Sequence, residues 1–260
     1  MLVTISGKGG VGKTSVTSIL LDELARHRFS GRVLAVDGDP AGTLSLALGL
    51  PEPLATLAQV RDATRLDART VRGLPPGTSP AGYVLGQLQA AGVLAGRRLR
   101  AMPLDVLAMG QGEGPGCYCS INGALATVLE HILARYALVL VDNEAGLEHL
   151  SRYRIRRVDL FLVLTTPGGA AWSVARRILE TARRAGMELV ETGTLVNRVS
   201  ASNGVHAYRN GLSIALPESR ELAALDLGGL PAVHLPDTSP LRAALHPLVD
   251  RLLAARPGEG

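Results

Sequence analysis

The sequence predicts an α/β protein built on a doubly wound, mostly parallel sheet with helices on both faces. Short apolar runs alternate with amphipathic stretches along the 260 residues, the pattern of strands joined by crossover helices. A glycine-rich turn separates the first apolar run from the first amphipathic stretch. Acidic residues stand where later apolar runs stop, so ligand-facing groups collect at the carboxyl edge of the sheet. Hydrophobic residues make up 47% of the chain, enough to bury the core of a single domain over residues 1–260.

In chain order, strands are predicted at Leu2 to Ile5, Arg32 to Val36, Leu104 to Ala108, Ala137 to Val141, Leu160 to Leu164, Leu189 to Val196 and Leu212 to Leu216. Helical periodicity falls near Lys13 to Arg28, Ile121 to Arg135, Gly169 to Ala185 and Leu241 to Ala255. The stretch from Pro51 to Arg100 breaks this rhythm with Pro, Gly, Ala and Arg. Leu74 to Gly82 (LPPGTSPAG) is rich in turn formers. It is read as an inserted pair of helices with a mobile loop, not as a second domain.

Several function classes are disfavoured. The opening MLVTIS has neither the charged nor the long apolar region of a secretion signal. The apolar run Leu160 to Leu164 is far short of the ~20 residues that a membrane span needs. A cytoplasmic protein with reduced thiols is therefore expected. The formal charge is +4, but the arginines are dispersed among acids, so nucleic acid is not an expected partner. The densest basic cluster, Arg152, Arg154, Arg156 and Arg157, reads as a solvated helix face.

Two residue types name the chemistry. Both lysines of the chain, Lys8 and Lys13, lie in SGKGGVGKT; all other positive side chains are Arg or His. A compact ammonium is retained where it must reach a phosphate. Gly7 to Thr14 (GKGGVGKT) satisfies the phosphate-loop spacing and stands between a predicted strand and a predicted helix, the context that motif requires. Gly9, Gly10, Val11 and Gly12 would turn backbone amides toward the β- and γ-phosphates at the positive end of the helix dipole. Lys13 would neutralise phosphate charge, the Thr14 hydroxyl would ligate magnesium, and Ser15 would continue the nucleotide cradle.

A general phosphate loop does not need a second lysine. With Lys8, KGGVGKT resembles the deviant Walker A motif of the MinD/ParA class of P-loop ATPases, which includes the nitrogenase iron protein and the arsenite and tail-anchor ATPases. The resemblance implies that Lys8 reaches the partner's nucleotide and that ATP assembles a face-to-face homodimer.

Two acidic loops accompany the motif. In VLAVDGDPAG, Asp37 and Asp39 follow a strand, and Pro40 blocks helical continuation. Asp39 is similar in placement to the switch aspartate of that class, which implies a role in positioning the attacking water. Asp37 would serve loop structure or the second shell of magnesium. Asp142 ends the apolar run LVLVD as a Walker B carboxylate would and is expected to hold the magnesium water shell. By resemblance, Asn197 and Arg198 stand at the base-recognition position and Pro217 in the adenine-flanking loop.

Both cysteines of the chain lie in GPGCYCS. In an extended segment residues i and i+2 point the same way, so Cys117 and Cys119 can aim two sulfurs at one ion. Two thiolates leave the shell of zinc or nickel unfilled. A His, Asp or water completes it, or a second copy of the chain does, giving four thiolates on a twofold axis. EGPGCYCSINGAL with DNEAGLEHLSR resembles the CooC-type ATPases that insert nickel during maturation of carbon monoxide dehydrogenase. This implies nickel as cargo, a nickel enzyme as client, and a relay through Glu144, Glu148 and His149. His131, His206, His234 and His246 show no metal spacing and are read as ordinary side chains. The competing readings are an ATP-dependent reductase with an iron–sulfur cluster bridging two chains, and a positioning or partitioning ATPase.

Overall fold

The structure is a computed structural model that describes residues 1–39, 42–51, 55–64, 73–74, 76–110, 130–143, 156–200 and 212–255. Its described strands are β1 (Leu2–Gly7), β2 (Val33–Asp37), β3 (Ala95–Leu99), β4 (Met102–Ala108), β5 (Leu138–Asp142), β6 (Arg157–Thr165), β7 (Glu188–Val199) and β8 (Leu212–Pro217). The helices are α1 (Lys13–Arg26), α2 (Leu44–Ala47), α3 (Leu57–Thr64), α4 (Pro80–Ala90), α5 (Gly169–Arg184), α6 (Arg220–Leu227) and α7 (Pro240–Ala254), with a 3₁₀ turn at Ala232–His234.

The strands form one eight-stranded sheet in the order β3-β4-β2-β5-β1-β6-β7-β8. All pairs are parallel except the β3–β4 pair at one edge. The chain winds outward from β1 to one side, returns through β5, and then builds the other side, which leaves a crevice at the carboxyl ends of β1, β2 and β5. Alternate residues of the central strands feed two cores. On one face Val3, Ile5, Val33, Ala35, Leu138 and Leu140 pack with α1 and α7. On the other, Leu34, Val36, Val139, Val141, Phe161 and Val163 pack with α5.

The inserted region supplies α3 and α4, whose Leu57, Val60 and Leu88 enter the second core. Its end differs from the sequence reading. Residues 95–99 form β3, antiparallel to β4, with Leu99 opposite Met102. The turn is carried by Arg100 in the left-handed region, φ 54°, where glycine or asparagine would have signalled a hairpin. The turn-rich stretch also ends sooner than expected. The Ser79 hydroxyl accepts from the Gly82 amide at 3.0 Å and starts α4 at Pro80.

Other boundaries move for local reasons. Helix α1 stops at Arg26 because Arg28 turns left-handed (φ 55°) and the Phe29 amide reaches back to the Leu24 carbonyl at 2.9 Å. Strand β6 begins at Arg157, which pairs with Glu188 at 2.8 Å. The expected helix face therefore fails at Arg157, while Arg152 and Arg154 lie outside the described residues. Of the helix expected at 121–135, residues 130–133 are helical and 121–129 lie outside the described residues.

A buried ion-pair cluster joins the far end of α1 to the rest of the molecule. Arg242 of α7 is 1% exposed. Its Nη1 contacts Asp22 Oδ2 at 2.9 Å and Glu23 Oε1 at 2.5 Å, while Nε and Nη2 donate to the Leu235 and Val233 carbonyls at 3.0 and 2.8 Å. Arg100 Nε reaches Asp22 Oδ1 at 2.6 Å. Burial pushes the Asp22 carboxyl up, but the Arg100, Arg26 and Arg242 guanidiniums outweigh it and hold it below the usual carboxylate range.

Candidate nucleotide site

The phosphate loop is built by close approach on one side and open space on the other. A Cβ on Gly7 would lie 2.3 Å from the Leu164 carbonyl oxygen, so only glycine lets β1 leave the sheet this close to β6. Gly10 and Gly12 adopt φ 75° and 93°, turning the loop before α1 starts with Gly12 as its left-handed N-cap. Gly9 and Gly10 have nothing within 4 Å of where a Cβ would sit, so their backbone lines open space at a helix amino end, where an anion binds well. Lys13 is buried to 9% exposure and its Nζ donates to the Lys8 carbonyl at 3.3 Å, across the loop. The Lys8 side chain is exposed.

Three strands bring polar groups to this loop. Asp142, the last residue of β5, accepts from the Thr14 hydroxyl at 2.6 Å and from Thr17 at 3.5 Å. Burial pushes its carboxyl up to about 7, opposed by the Thr14 hydroxyl and Lys13 and reinforced by Asp37 and Asp39. Asp37 ends β2 and is also buried. Its two oxygens accept from the Asp39 amide at 3.0 Å and the Leu44 amide at 2.8 Å. Burial raises its carboxyl to about 6 despite these amides. These contacts tie down the start of the β2 loop. Asp39 stands beside it, its carbonyl accepting from Gly42 at 3.0 Å; Pro40 lies outside the described residues.

On the other side, strand β7 does not stop at Val196. It runs on to Val199 with an irregularity against β8, and Arg198 there takes φ 60°. Asn197 Nδ2 donates to the Val11 carbonyl at 2.8 Å, and Arg198 Nη2 donates to the Gly10 carbonyl at 3.0 Å. Both side chains thus brace the phosphate loop. With Gly12, Ser15 and Pro217 they line a cavity of about 260 Å³. A second cavity of about 250 Å³ runs from Thr14 and Ser15 to Thr43 and Leu46. The two share Ser15, Leu222 and Asp226, making one groove from Asn197 and Pro217 past the loop.

Three contributors carry little signal in the sequence. Helix α6, which provides Leu222 and Asp226, was hidden because it buries no residue fully and so leaves a weak apolar period. Asn143 lies beside Asp142, is 1% exposed, and donates from Nδ2 to the Thr4 hydroxyl. Gly38 donates its amide to the Asp142 carbonyl at 2.8 Å, locking the β2 loop to β5. Cys117, Cys119, Glu144, Glu148, His149 and His206 lie outside the described residues.

The sequence profile of the CobQ/CobB/MinD/ParA nucleotide binding domain matches residues 2–226. The chain belongs to this family. An uncharacterised ATP-binding protein of Methanocaldococcus jannaschii is 30% identical over 259 residues, covering 97% of this chain and 98% of the relative. The carbon monoxide dehydrogenase accessory protein CooC of Rhodospirillum rubrum is 32% identical over 203 residues, covering 73% of this chain and 72% of the relative. The fold is shared with the cell division ATPase MinD of Pyrococcus furiosus, at TM-score 0.66 and 22% identity over 96% of this chain and 97% of that one. The protein is a P-loop ATPase of the MinD/ParA class. No helix among its described residues is long and apolar enough to cross a membrane.

The raised carboxyls of this MinD/ParA-type ATPase have a consequence for stability. Folded-state pKa values of about 6 and about 7 for Asp37 and Asp142 lie above the unfolded value of 3.8. Their contribution is present below pH 4 and is lost as pH rises through 6 to 7. Asp142→Asn keeps an acceptor for Thr14 and removes the charge. Nucleotide-free Asp142→Asn is expected to be more stable than wild type at pH 8 by roughly 1–4 kcal/mol and so to melt at higher temperature, with the gap closing by pH 4. Thermal melts across pH check this; a gap independent of pH would refute the buried-charge account.

Proposed function

We propose that this ATPase is a metallochaperone: ATP closes two copies face to face, Cys117 and Cys119 of both copies hold one nickel ion, and hydrolysis opens the pair to release the metal to a client enzyme. Zinc would also suit four thiolates. Carbon monoxide dehydrogenase is the client suggested by the CooC relative. The observation that carries the reading is the pair of cysteines two residues apart, the only cysteines of the chain, on a segment rooted beside the nucleotide site. Its root is at the end of β4, where the Met109 amide donates to the Asp37 carbonyl at 2.9 Å. That bond ties the root to the strand end that carries Asp37.

In the proposed reaction Asn197 and Pro217 flank the base, and the amides of residues 9–15 hold the phosphates. The residues present fit a magnesium nucleotide: a hydroxyl at Thr14 and a buried carboxyl at Asp142 meet at the mouth of an open glycine cradle. Magnesium, when bound, would neutralise phosphate charge there, with Thr14 as ligand and Asp142 holding its water shell. With Asp37 holding the β2 loop, Asp39 would orient a water toward the γ-phosphate. The water adds to the γ-phosphorus, the bond to the bridging oxygen breaks, and Lys13 with the partner copy's Lys8 stabilises the leaving ADP and phosphate. Halving the sulfur ligands from four to two on opening is expected to weaken metal binding by ~10⁴-fold, about 5.5 kcal/mol.

The test is anaerobic nickel titration followed by sulfur-to-metal absorption, with and without ATP, in wild type and in Cys117→Ser/Cys119→Ser. The absorption is expected to saturate at one ion per two chains in the ATP form and to be absent in the variant, with nucleotide binding retained. Sulfur-free spectra in wild type would overturn the reading, and a brown preparation absorbing broadly near 400 nm would point to a bridging iron–sulfur cluster instead. An amphipathic anchor of a positioning ATPase finds no support at α7: Leu241, Leu245, Leu248 and Leu252 are all buried.

A further inference from the structure

We infer that Glu23, His27 and His246 form a second metal site, for a borderline divalent ion such as zinc, nickel or copper, at the end of α1 remote from the phosphate loop. Glu23 stands one helical turn before His27 at the end of α1, so both lie on one face, and α7 brings His246 against them. Glu23 Oε2 is 3.7 Å from His27 Nε2 and 3.5 Å from His246 Nε2, and one ligand atom from each residue lies within 4.8 Å of the others. Tetrahedral zinc with bonds near 2.0–2.1 Å places neighbouring ligand atoms about 3.3 Å apart. The two carboxylate–imidazole separations are within a few tenths of an ångström of that spacing, and the imidazole nitrogens, within 4.8 Å of each other, close on it by rotation of two surface rings.

The surroundings favour the site. The two imidazoles meet edge to face, with centroids 5.4 Å apart, and their side chains are 41% and 49% exposed against 4% for Glu23. An ion thus enters from solvent and keeps a position for water. The carboxylate is already oriented: its other oxygen, Oε1, is held by Arg242 Nη1, the outer-sphere bond that ligating carboxylates use. The local charges balance, with Arg26, Arg100 and Arg242 set against Asp22, Asp237 and Glu23. Two imidazole nitrogens and one carboxylate select against magnesium and calcium, which take oxygen, and against copper(I), which takes sulfur. Among the described residues no other cluster of three or more His, Cys, Asp or Glu meets these distances. The ten helical steps between Lys13 and Glu23 set the site about 15 Å from the phosphate loop, and an ion there would tie α7 to α1.

The test uses the full-length chain carrying Cys117→Ser and Cys119→Ser, so that sulfur cannot contribute, titrated with cobalt(II) and zinc(II) without nucleotide. Cobalt d–d absorption and zinc-induced thermal stabilisation are expected to report one ion per chain. Adding His246→Ala or His27→Ala should weaken binding at least ~100-fold, beyond the ~10–100-fold that outer-shell changes cost. Melts in EDTA and unchanged ATP affinity will show that these variants fold. Absence of binding in the cysteine-free chain, or undiminished binding in the His27→Ala/His246→Ala chain, overturns the inference.

Discussion

Replacing Arg242 by alanine is expected to destabilise the fold by about 3–5 kcal/mol, a large share of the ~5–15 kcal/mol that holds a typical domain folded. The guanidinium is 1% exposed and is shared by Asp22, Glu23 and two backbone carbonyls. Truncation would strand two carboxylates, 1% and 3% exposed, with Arg100 and Arg26 left as their partners, and would leave the Leu235 and Val233 carbonyls short of a donor. Arg242→Lys should recover only part of the loss, because one ammonium cannot serve two carboxylates and two carbonyls in the planar arrangement of a guanidinium. Denaturant melts measure both. A cost below 1 kcal/mol for the alanine variant would mean that the cluster is held by Arg100 and Arg26 alone.

The second large effect concerns the two lysines. Lys13→Ala removes the buried ammonium that spans the loop to the Lys8 carbonyl and is expected to lower ATP turnover by ~10²–10³. Lys8→Ala should lower it comparably while leaving ATP binding by the single chain nearly intact, because the exposed Lys8 side chain is assigned to the partner's nucleotide. Mixing the two inactive variants discriminates between arrangements. In a heterodimer, the Lys8→Ala copy keeps its own Lys13 and receives Lys8 from the Lys13→Ala copy, which rebuilds one site of two. Random pairing then restores about a quarter of wild-type turnover. If Lys8 acts within its own chain, no combination rebuilds a site and the mixture stays inactive.

What the sequence made legible was the part written in strong local signals. The central strands stood out because strands buried on both faces are nearly continuous apolar runs, and the phosphate loop because its glycines and lysines have fixed spacing. Asp142 was found from its place at the end of such a run. The misses have physical causes. The β3–β4 hairpin turns on Arg100, a residue that gives no turn signal, and it is steadied by an ion pair to Asp22 from far along the chain. Asn197 and Arg198 were placed at the nucleotide, but their grip on the Val11 and Gly10 carbonyls depends on a local backbone twist at Arg198 that no periodicity records. Glu23 and His27 share a helix face and were visible as a pair in principle. His246 joins them only across the α1–α7 contact, where Arg242, one turn earlier on α7, also meets the acids of α1.

At the centre of the proposed function is one metal ion held between two chains by four sulfurs under nucleotide control. Native mass measurement of the His27→Ala/His246→Ala chain, loaded with nickel and held with ATP under conditions that prevent turnover, tests it most directly, because ions at the α1–α7 site are then excluded. A dimer carrying one nickel ion, losing it when both cysteines are replaced by serine, is the expected result. Single chains each carrying an ion, or an ATP-bound dimer carrying none, would contradict it.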